Sequence, residues 1–201
     1  MASGRERLLA SAMRLFGERG YTATSVAQIE ADAGLTPGAG GLYAHFPSKE
    51  ALLRAGLQAI LQPEAEVGAL SDRHAADRAS SSASLADQLA AIAQAGLARL
   101  EHDKDFNRIL LRDLRTLPDL LQLAADQEIV PIHARLADQL AVAGQLSADD
   151  ALALAAVLIG ATTHLWLMTD MFGAHPAGVG TEDYLAMLVR CAVAVLARED
   201  G

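Results

Sequence analysis

Residues 24–53 decide the fold of this chain, and they read TSVAQIEADAGLTPGAGGLYAHFPSKEALL. Val26, Ile29 and Ala33 are apolar and spaced three and four residues apart, which predicts a short helix with one buried face. Thr24 or Ser25, which stand just before them, can cap the first amides of that helix with a hydroxyl oxygen. The stretch therefore opens with a capped, amphipathic helix.

A second helix is predicted after a glycine turn. Gly34 can take a left-handed conformation without a Cβ penalty, so it ends the first helix and turns the chain sharply. Thr36 is a suitable cap, and Pro37 suits the first helical position, where no amide hydrogen is needed. We predict that this helix runs from Thr36 to about Tyr43 or Ala44.

A third helix follows the break at Phe46-Pro47. Ser48 caps it, and Glu50 lies in its first turn, where the helix dipole favours a carboxylate. Before the quoted stretch, residues 5–19 carry one apolar helical stripe that Gly20 stops. Short helices joined by a glycine turn have the build of a helix-turn-helix, which inserts its second helix into the major groove of DNA.

Residues 5–55 resemble the DNA-binding domain of the TetR family of bacterial transcriptional regulators. The resemblance covers about the first quarter of the chain. It implies an all-α protein with a three-helix helix-turn-helix DNA-binding domain, here residues 1–55, and a helical ligand-binding and dimerisation domain, here residues 56–201. The matching residues are Phe16, Gly20, Tyr21, Thr24, Ile29, Ala33-Gly34, Leu42-Tyr43, Phe46, Lys49-Glu50 and Leu52-Leu53.

The chain departs from the family pattern between Ala33-Gly34 and Leu42-Tyr43, where it has seven residues, more than the family usually has. Three of the seven are glycines, and each costs a helix roughly 1 kcal/mol relative to alanine. The predicted second helix is therefore longer, bulged or frayed, or is poorly ordered in the free protein. No Arg, Lys, Asn or Gln lies in this interval for bidentate contacts with bases, so we expect phosphate contacts and DNA shape to dominate recognition.

The expected DNA contacts follow from this pattern and from the resemblance. In the family, the tyrosine and lysine that correspond to Tyr43 and Lys49 commonly touch the DNA backbone. The alternative is that Tyr43 packs in the core and that Lys49 is solvated, and for His45 the two interpretations are balanced. The expected DNA-binding residues are Thr24, Ser25, Thr36, Pro37, Gly38, Ala39, Gly40, Tyr43, His45 and Lys49.

The charge distribution is compatible with DNA binding, although the whole chain has a net charge of −9. Residues 1–60 carry six basic and five acidic groups, a net +1, so the remainder carries −10. The acidity therefore lies away from the expected DNA face, where it does not repel the phosphates.

The single cysteine, Cys191, cannot form an intrachain disulfide, which fits a reducing cytoplasm. We expect it to be a small buried hydrophobe, and a redox sensor is the less favoured alternative. The charged, amphipathic start of the chain does not have the pattern of a signal peptide. The sequence therefore predicts a cytoplasmic protein.

The rest of the chain predicts helices and no strands. Residues 71–84 are serine-rich and polar, which predicts a mobile connection. Residues 151–169 form a long uncharged run, but polar residues interrupt it and aspartates flank it, so we predict a buried helix and not a membrane span. The predicted helices cover residues 48–62, 85–100, 105–114, 118–142 with a kink or break at Pro131, 150–172 with Ser147 as the cap, and 182–198 with Thr181 as the cap.

The last two helices are the expected homodimer interface, because they are rich in small apolar residues and because the family pairs these helices in a four-helix bundle. In such a dimer, two recognition helices about 34–36 Å apart match successive major grooves and a near-palindromic operator.

The resemblance also implies an effector pocket among the middle helices for a mainly apolar small molecule. Bulky, soft or polar side chains within apolar helices are the candidates, although ordinary packing is an alternative for each. They are Phe106, Ile109, Leu110, His133, His164, Trp166, Met168 and Met171.

The sequence thus predicts a dimeric, ligand-responsive regulator, most often a repressor in such families, with no metal or cofactor and no enzymatic activity. Ligand binding is expected to shift the population of dimers toward a spacing of the two DNA-binding heads that fits the operator poorly. One alternative is a protein-interaction adaptor that has lost specific DNA binding. Another is a small helical enzyme, against which stands the absence of a nucleophile–base, phosphate-loop or metal motif.

Overall fold

The computed structural model describes residues 2–61 and 84–197. These residues are helical with no strand, which confirms the all-α prediction. A 3₁₀ turn at Leu114–Thr116 and a π-helical turn at Ala125–Ile129 connect some of the α-helices. The α-helices are α1 (Gly4–Arg19), α2 (Val26–Asp32), α3 (Lys49–Leu61), α4 (Leu85–His102), α5 (Lys104–Arg112), α6 (Pro118–Ala124), α7 (Val130–Gly144), α8 (Ala148–Phe172) and α9 (Thr181–Leu196).

Local caps fix the starts of several helices where the sequence predicts them. Ser25 caps α2 in a reciprocal capping box with Gln28, and the Ser48 hydroxyl accepts a hydrogen bond from the Ala51 amide at 3.0 Å. Ser147 caps α8 in the same way through the Asp150 amide. Thr181 is the exception, because it is already the first residue of α9 and Gly180 occupies the cap without a side-chain bond.

The predicted second helix of the quoted stretch is wrong. Residues 36–45, which we term the turn segment, consist of turns and bends, and Thr36 caps no helix. Gly38 and Gly40 have φ angles of +76° and +80°. An α-helix needs a negative φ at every residue, so two left-handed glycines interrupt it.

Contacts divide the chain into two compact units, and the first comprises Met1–Pro63 and Asp103–Glu128. Its core contains Phe16 from α1, Ile29 from α2, Leu57 from α3 and Ile109 from α5. The Arg112 guanidinium donates hydrogen bonds to the carbonyls of Phe16 and Gly17, the last turn of α1, where the helix dipole favours a cation.

The second unit comprises Glu64–His102 and Ile129–Gly201. Its described core joins Leu89 of α4, Leu140 of α7, Ala155 of α8 and Val189 of α9. This division by packing differs from the linear boundary after residue 55, because α5 and α6 pack with the N-terminal helices. The predicted helix end near residue 62 and most of the predicted serine-rich connection lie outside the described residues.

Helix α8 is the one helix in the described ranges whose length and hydropathy would suffice to cross a membrane. It packs against α4, α7 and α9 within the second unit. Buried residues such as Ala151, Ala155 and Leu165 make these contacts, while Val157 and Met171 remain exposed. Part of its apolar surface is therefore uncovered in the isolated chain.

Candidate functional site

The turn segment projects from a compact base between α2 and α3. The Leu35 amide donates to the Glu30 carbonyl at 2.8 Å, and the Phe46 amide donates to the Leu42 carbonyl at 2.9 Å. Leu42 and Phe46 are buried in the core of the first unit, so both ends of the segment are fixed while its middle lies at the surface.

The buried carboxylate of Glu30 holds the turn segment in place. One of its oxygens accepts a hydrogen bond from the Gly38 amide at 2.7 Å, and the other accepts from the Leu42 amide at 2.9 Å. Hydrogen bonds from the Leu42 and Gly38 amides hold the pKa of Glu30 below its usual value. The side chain thus replaces the amide partners that a regular helix would have supplied.

Lys49 ties the start of α3 to the loop before α2. Its ammonium donates to the carbonyls of Tyr21 at 2.8 Å and Thr24 at 2.9 Å, and it lies 4.3 Å from the centre of the Tyr21 ring. Partial burial lowers the pKa of Lys49. The Lys49 ammonium is therefore bound to backbone carbonyls of its own domain and is not freely solvated.

Thr24 is placed inside the domain. Its side chain is 1% exposed, and its hydroxyl donates to the Gly20 carbonyl at 2.8 Å, with the Leu15 carbonyl as a second acceptor. That hydroxyl does not reach the surface in this structure. Ser25, the neighbouring candidate, is exposed and caps α2.

The other expected DNA contacts lie together at the surface. Tyr43 is 60% exposed, so it does not pack in the core, and His45 is also exposed. Gly40 is half-buried. Thr36, Pro37, Gly38 and Ala39 are exposed members of the same turn segment.

Two arginines of α1 lie beside this surface, and the sequence reasoning did not select them. The Arg5 guanidinium lies 5.1 Å from the centre of the Phe46 ring. An Arg7 guanidinium nitrogen lies 3.3 Å from the position that a Cβ on Gly34 would occupy. Both side chains are exposed, so they add positive charge next to the turn segment. In the sequence, the feature that could have indicated these arginines is their position at the start of an amphipathic helix.

The expected effector residues are divided between the two units. Phe106 and Ile109 are buried in the core of the first unit, and Leu110 packs against that core. The remaining candidates belong to the second unit, where the His133 ring bonds the Ile129 carbonyl at 2.7 Å through Nδ1. His164 and Met171 are exposed and Met168 is half-buried, which leaves Trp166 as the buried candidate.

A groove of about 910 Å³, partly open to solvent, lies between α4, α8 and α9 of the second unit. Trp166 lines it, whereas the other seven predicted effector residues do not. Sequence reasoning favoured bulky side chains and missed the small residues whose size creates the space. The lining comprises Ala86, Asp87, Ala90, Gln94, Leu97, Ala98, Glu101, Leu165, Trp166, Thr169, Thr181, Glu182, Leu185, Ala186, Val189 and Arg190.

Cys191 is exposed, so the expectation of a buried cysteine is wrong for the isolated chain. It lies four residues from both Met187 and Val195, which are exposed too. Residues spaced by four share one face of a helix, so α9 has an apolar face that the described part of the chain leaves uncovered.

Comparisons with known proteins agree on the N-terminal region. Residues 8–55 match the family described as "Bacterial regulatory proteins, tetR family". The uncharacterised HTH-type transcriptional regulator YerO of Bacillus subtilis (strain 168) is 42% identical over 53 residues. That match covers 26% of this chain and only 18% of YerO.

Solved structures are similar over nearly the whole chain at low identity. AibR in complex with isovaleryl coenzyme A and operator DNA has a TM-score of 0.63 at 22% identity, covering 92% of this chain and 96% of AibR. FadR from Bacillus subtilis in complex with stearoyl-CoA has a TM-score of 0.59 at 16% identity, covering 96% of this chain and 97% of FadR. These two likenesses concern the fold.

Proposed function

The chain belongs to the TetR family of bacterial regulatory proteins, and from that membership we propose that it is a dimeric, ligand-responsive repressor that binds a near-palindromic DNA operator in the cytoplasm. The observation that carries the proposal is the exposed turn segment, held by Glu30 within the part of the chain that matches the family. Its place between α2 and α3 is that of the second helix in a helix-turn-helix.

Recognition of the operator relies on phosphates and DNA shape more than on bidentate base contacts. Exposed amides, the hydroxyls of Thr36 and Tyr43 and the imidazole of His45 are the polar groups of the turn segment, and it has no Arg, Lys, Asn or Gln. Arg5 and Arg7 supply cations beside it. Cations attract the backbone of any sequence, so specificity depends on how well a sequence adopts the required shape.

Dimerisation through α8 and α9 brings two turn segments to one operator. Val157 and Met171 on α8 and Met187 and Val195 on α9 are exposed large apolar residues, which a partner surface would remove from water. The exposed Gly160 has no heavy atom within 4 Å of an added Cβ, which leaves room for a helix from a second copy.

A small, mainly apolar effector controls operator affinity in this proposal. Relatives of the same fold are described in complex with acyl-coenzyme A compounds, and one of them also with operator DNA. The effector favours a dimer whose two DNA-binding heads have a different separation, and operator affinity falls by the ratio of its affinities for the two states. No catalytic role is part of the proposal.

The experiment is a selection of random duplex DNA on the purified full chain at about physiological salt. We expect enrichment of a near-palindrome with two half-sites about one helical turn apart. A selection that enriches no sequence, with a folded protein in the same sample, would contradict the proposal. It would favour a protein-interaction adaptor, which the irregular turn segment also suits.

Variants of the turn segment test the mode of recognition. Tyr43→Phe removes the hydroxyl and should weaken operator and unrelated DNA alike, by about three- to tenfold, because a phosphate contact carries no sequence information. Gln58→Ala is the matched control, since Gln58 is exposed on α3 and outside the expected contact set. Unchanged binding by the Tyr43 variant would remove this residue from the interface.

A further inference from the structure

The exposed apolar face of α8 includes an imidazole. Val157, His164 and Met171 are all exposed, and they follow one another at intervals of seven residues. Seven residues are close to two turns of an α-helix, so the three side chains lie in one line along α8. His164 therefore belongs to the surface that the proposed dimer covers.

His164 is also part of an aromatic cluster that joins the exposed faces of α8 and α9. The Tyr184 ring of α9 stacks with the His164 ring, with 6.4 Å between the ring centres, and the His175 ring of the intervening loop lies 5.6 Å from His164. The Tyr184 hydroxyl donates to the Ala161 carbonyl at 3.1 Å, and its oxygen lies 3.5 Å from His164 Nδ1. Tyr184 stands seven residues before the exposed Cys191, so it shares the apolar face of α9.

No carboxylate of the described residues forms an ion pair or hydrogen bond with His164. The groups that face it are the Tyr184 phenol and the His175 imidazole, and a protonated His175 would repel a second positive charge. Helices α4 and α7 also pack against α8, and none of their described charged groups is bonded to His164. The carboxylates closest in sequence to the cluster on α8 and α9 are Asp170, Glu182 and Asp183, and these are not bonded to His164 either.

Covering this face with a second copy would remove water from the His164 ring. The covering surface is the same apolar face, so an imidazolium would be buried without an opposite charge, whereas a neutral imidazole would not carry that cost. Imidazole is the side chain whose charge ordinarily changes between about pH 5 and 8. Because dimerisation disfavours the protonated ring, protonation must weaken the dimer by the same factor.

We propose that His164 makes dimerisation through α8 and α9 sensitive to pH. The dimer forms while His164 is neutral and dissociates when the ring takes up a proton, so the affinity between copies falls as pH falls. The inference rests on the dimer of the proposed function. Since one copy presents a single turn segment, binding to a two-half-site operator weakens together with the dimer.

The test is the dimer dissociation constant of the purified full chain, measured by fluorescence-detected sedimentation at about pH 7.5 and about pH 5.5. EDTA in both buffers removes metal ions that neutral imidazoles could bind. Two imidazoles, one from each copy, that are protonated only in the monomer raise this constant by up to about a hundredfold over two pH units. We expect a rise of about ten- to a hundredfold for the wild type.

Circular dichroism at both pH values confirms that the helices persist. The Glu30 carboxylate keeps its charge throughout, because its pKa lies below 4.5. A change in the dissociation constant therefore does not report the loss of the Glu30 hydrogen bonds.

Three variants assign the effect to one ring. His164→Gln is neutral at both pH values and should give the same dissociation constant at both. His164→Lys is charged at both, and at the higher pH it should dissociate at least about tenfold more readily than the wild type. His102→Gln is the matched control, since His102 is exposed at the end of α4, outside α8 and α9, and it should keep the wild-type pH dependence.

Several results would overturn the inference. They are a wild-type dissociation constant that stays constant or falls in acid, a pH dependence that persists in His164→Gln, and a His164→Lys variant that dimerises as tightly as the wild type. Each of these leaves the proposed dimer intact. A wild type that is monomeric at both pH values removes the dimer and the pH dependence together.

Discussion

The carboxylate of Glu30 bonds two backbone amides that a helix would otherwise have satisfied, those of Gly38 and Leu42. Because the two bonds use different oxygens, the interaction depends on a carboxylate with two equivalent acceptors. A buried acidic residue in the middle of α2 is therefore a positioning residue for the turn segment and not a surface charge.

Glu30→Gln should loosen the turn segment, because an amide offers one acceptor oxygen and turns its NH₂ group toward the second backbone amide. We expect faster hydrogen exchange at Gly38 and Leu42, measured by NMR, with a lower melting temperature and weaker operator binding. Glu18→Gln is the control, since the Glu18 side chain is 42% exposed and pairs only at the surface with Arg14. Unaltered exchange at both amides would show that the bonds contribute little.

Lowering the pH should weaken the same hydrogen bonds between the Glu30 carboxylate and the two backbone amides. The amides of Leu42 and Gly38 keep the folded-state pKa of Glu30 below its usual value of 4.5. The stabilisation is therefore fully present above that value and is lost as pH falls through the lowered folded pKa. Melting of the wild type and of Glu30→Gln, followed by circular dichroism from about pH 7 downward, should differ most at neutral pH and converge in acid. A difference that stays constant or grows in acid would contradict this assignment.

At the scale of elements, the helices of the first unit require close approach. A Cβ added to Gly17 on α1 would lie 2.6 Å from the Asp105 Cβ and 2.7 Å from its Cα, both on α5. Burial raises the pKa of Asp105, which agrees with a carboxyl held against a neighbouring helix. Only a residue without a side chain allows the two helices to pack at this distance.

Gly17→Ala should destabilise the protein by about 1–3 kcal/mol, because backbone atoms of α5 cannot move away without disturbing the core. Gly96→Ala on α4 is the matched control, since its added Cβ would meet only Thr162 Cγ2 at an ordinary 3.7 Å. It should be neutral or stabilising by up to about 1 kcal/mol, as alanine favours a helix. Chemical denaturation of both variants measures the difference, and equal stabilities would refute the close-packing argument.

At the scale of the whole molecule, the apolar surface of α8 and α9 is larger than one chain can cover. Val157 is 62% exposed and Met187 is 52% exposed. Both helices also contribute to the buried core of the second unit, so each has two apolar faces. A helix that is apolar on opposite faces is typical of an element with a partner on each side.

Met187→Glu should convert the dimer to a monomer, because dimerisation would bury the new carboxylate in an apolar interface, away from water and without an opposite charge. Val142→Glu is the control, since Val142 on α7 is even more exposed, at 84%, but lies outside α8 and α9. Analytical ultracentrifugation of the two variants and the wild type gives the oligomeric state. A dimeric Met187 variant would exclude this face, and a monomeric wild type would exclude the dimer.

Helices whose starts are encoded by neighbouring residues could be predicted from the sequence alone. Ser48 and Ser147 cap the helices that they were predicted to cap, and Ser25 is the one of the two predicted candidates that caps α2, because capping needs only the neighbouring residues. The resemblance of residues 5–55 identified the family for the same reason, since its motif is contiguous. The sequence also indicated that glycines would disturb the predicted second helix, but it did not predict that residues 36–45 would form turns and bends instead of a helix.

Features that depend on residues distant in sequence became apparent in the folded structure. It assigned Glu30 to the turn segment, Thr24 to the core, and Lys49 to two loop carbonyls. It also packed Phe106 and Ile109 with the N-terminal helices and formed a groove lined by Trp166 and by alanines of α4 and α9. Apolar periodicity identifies a buried face but not the helix that covers it, so the partner of each face, and any space left between helices, emerges only when the helices pack.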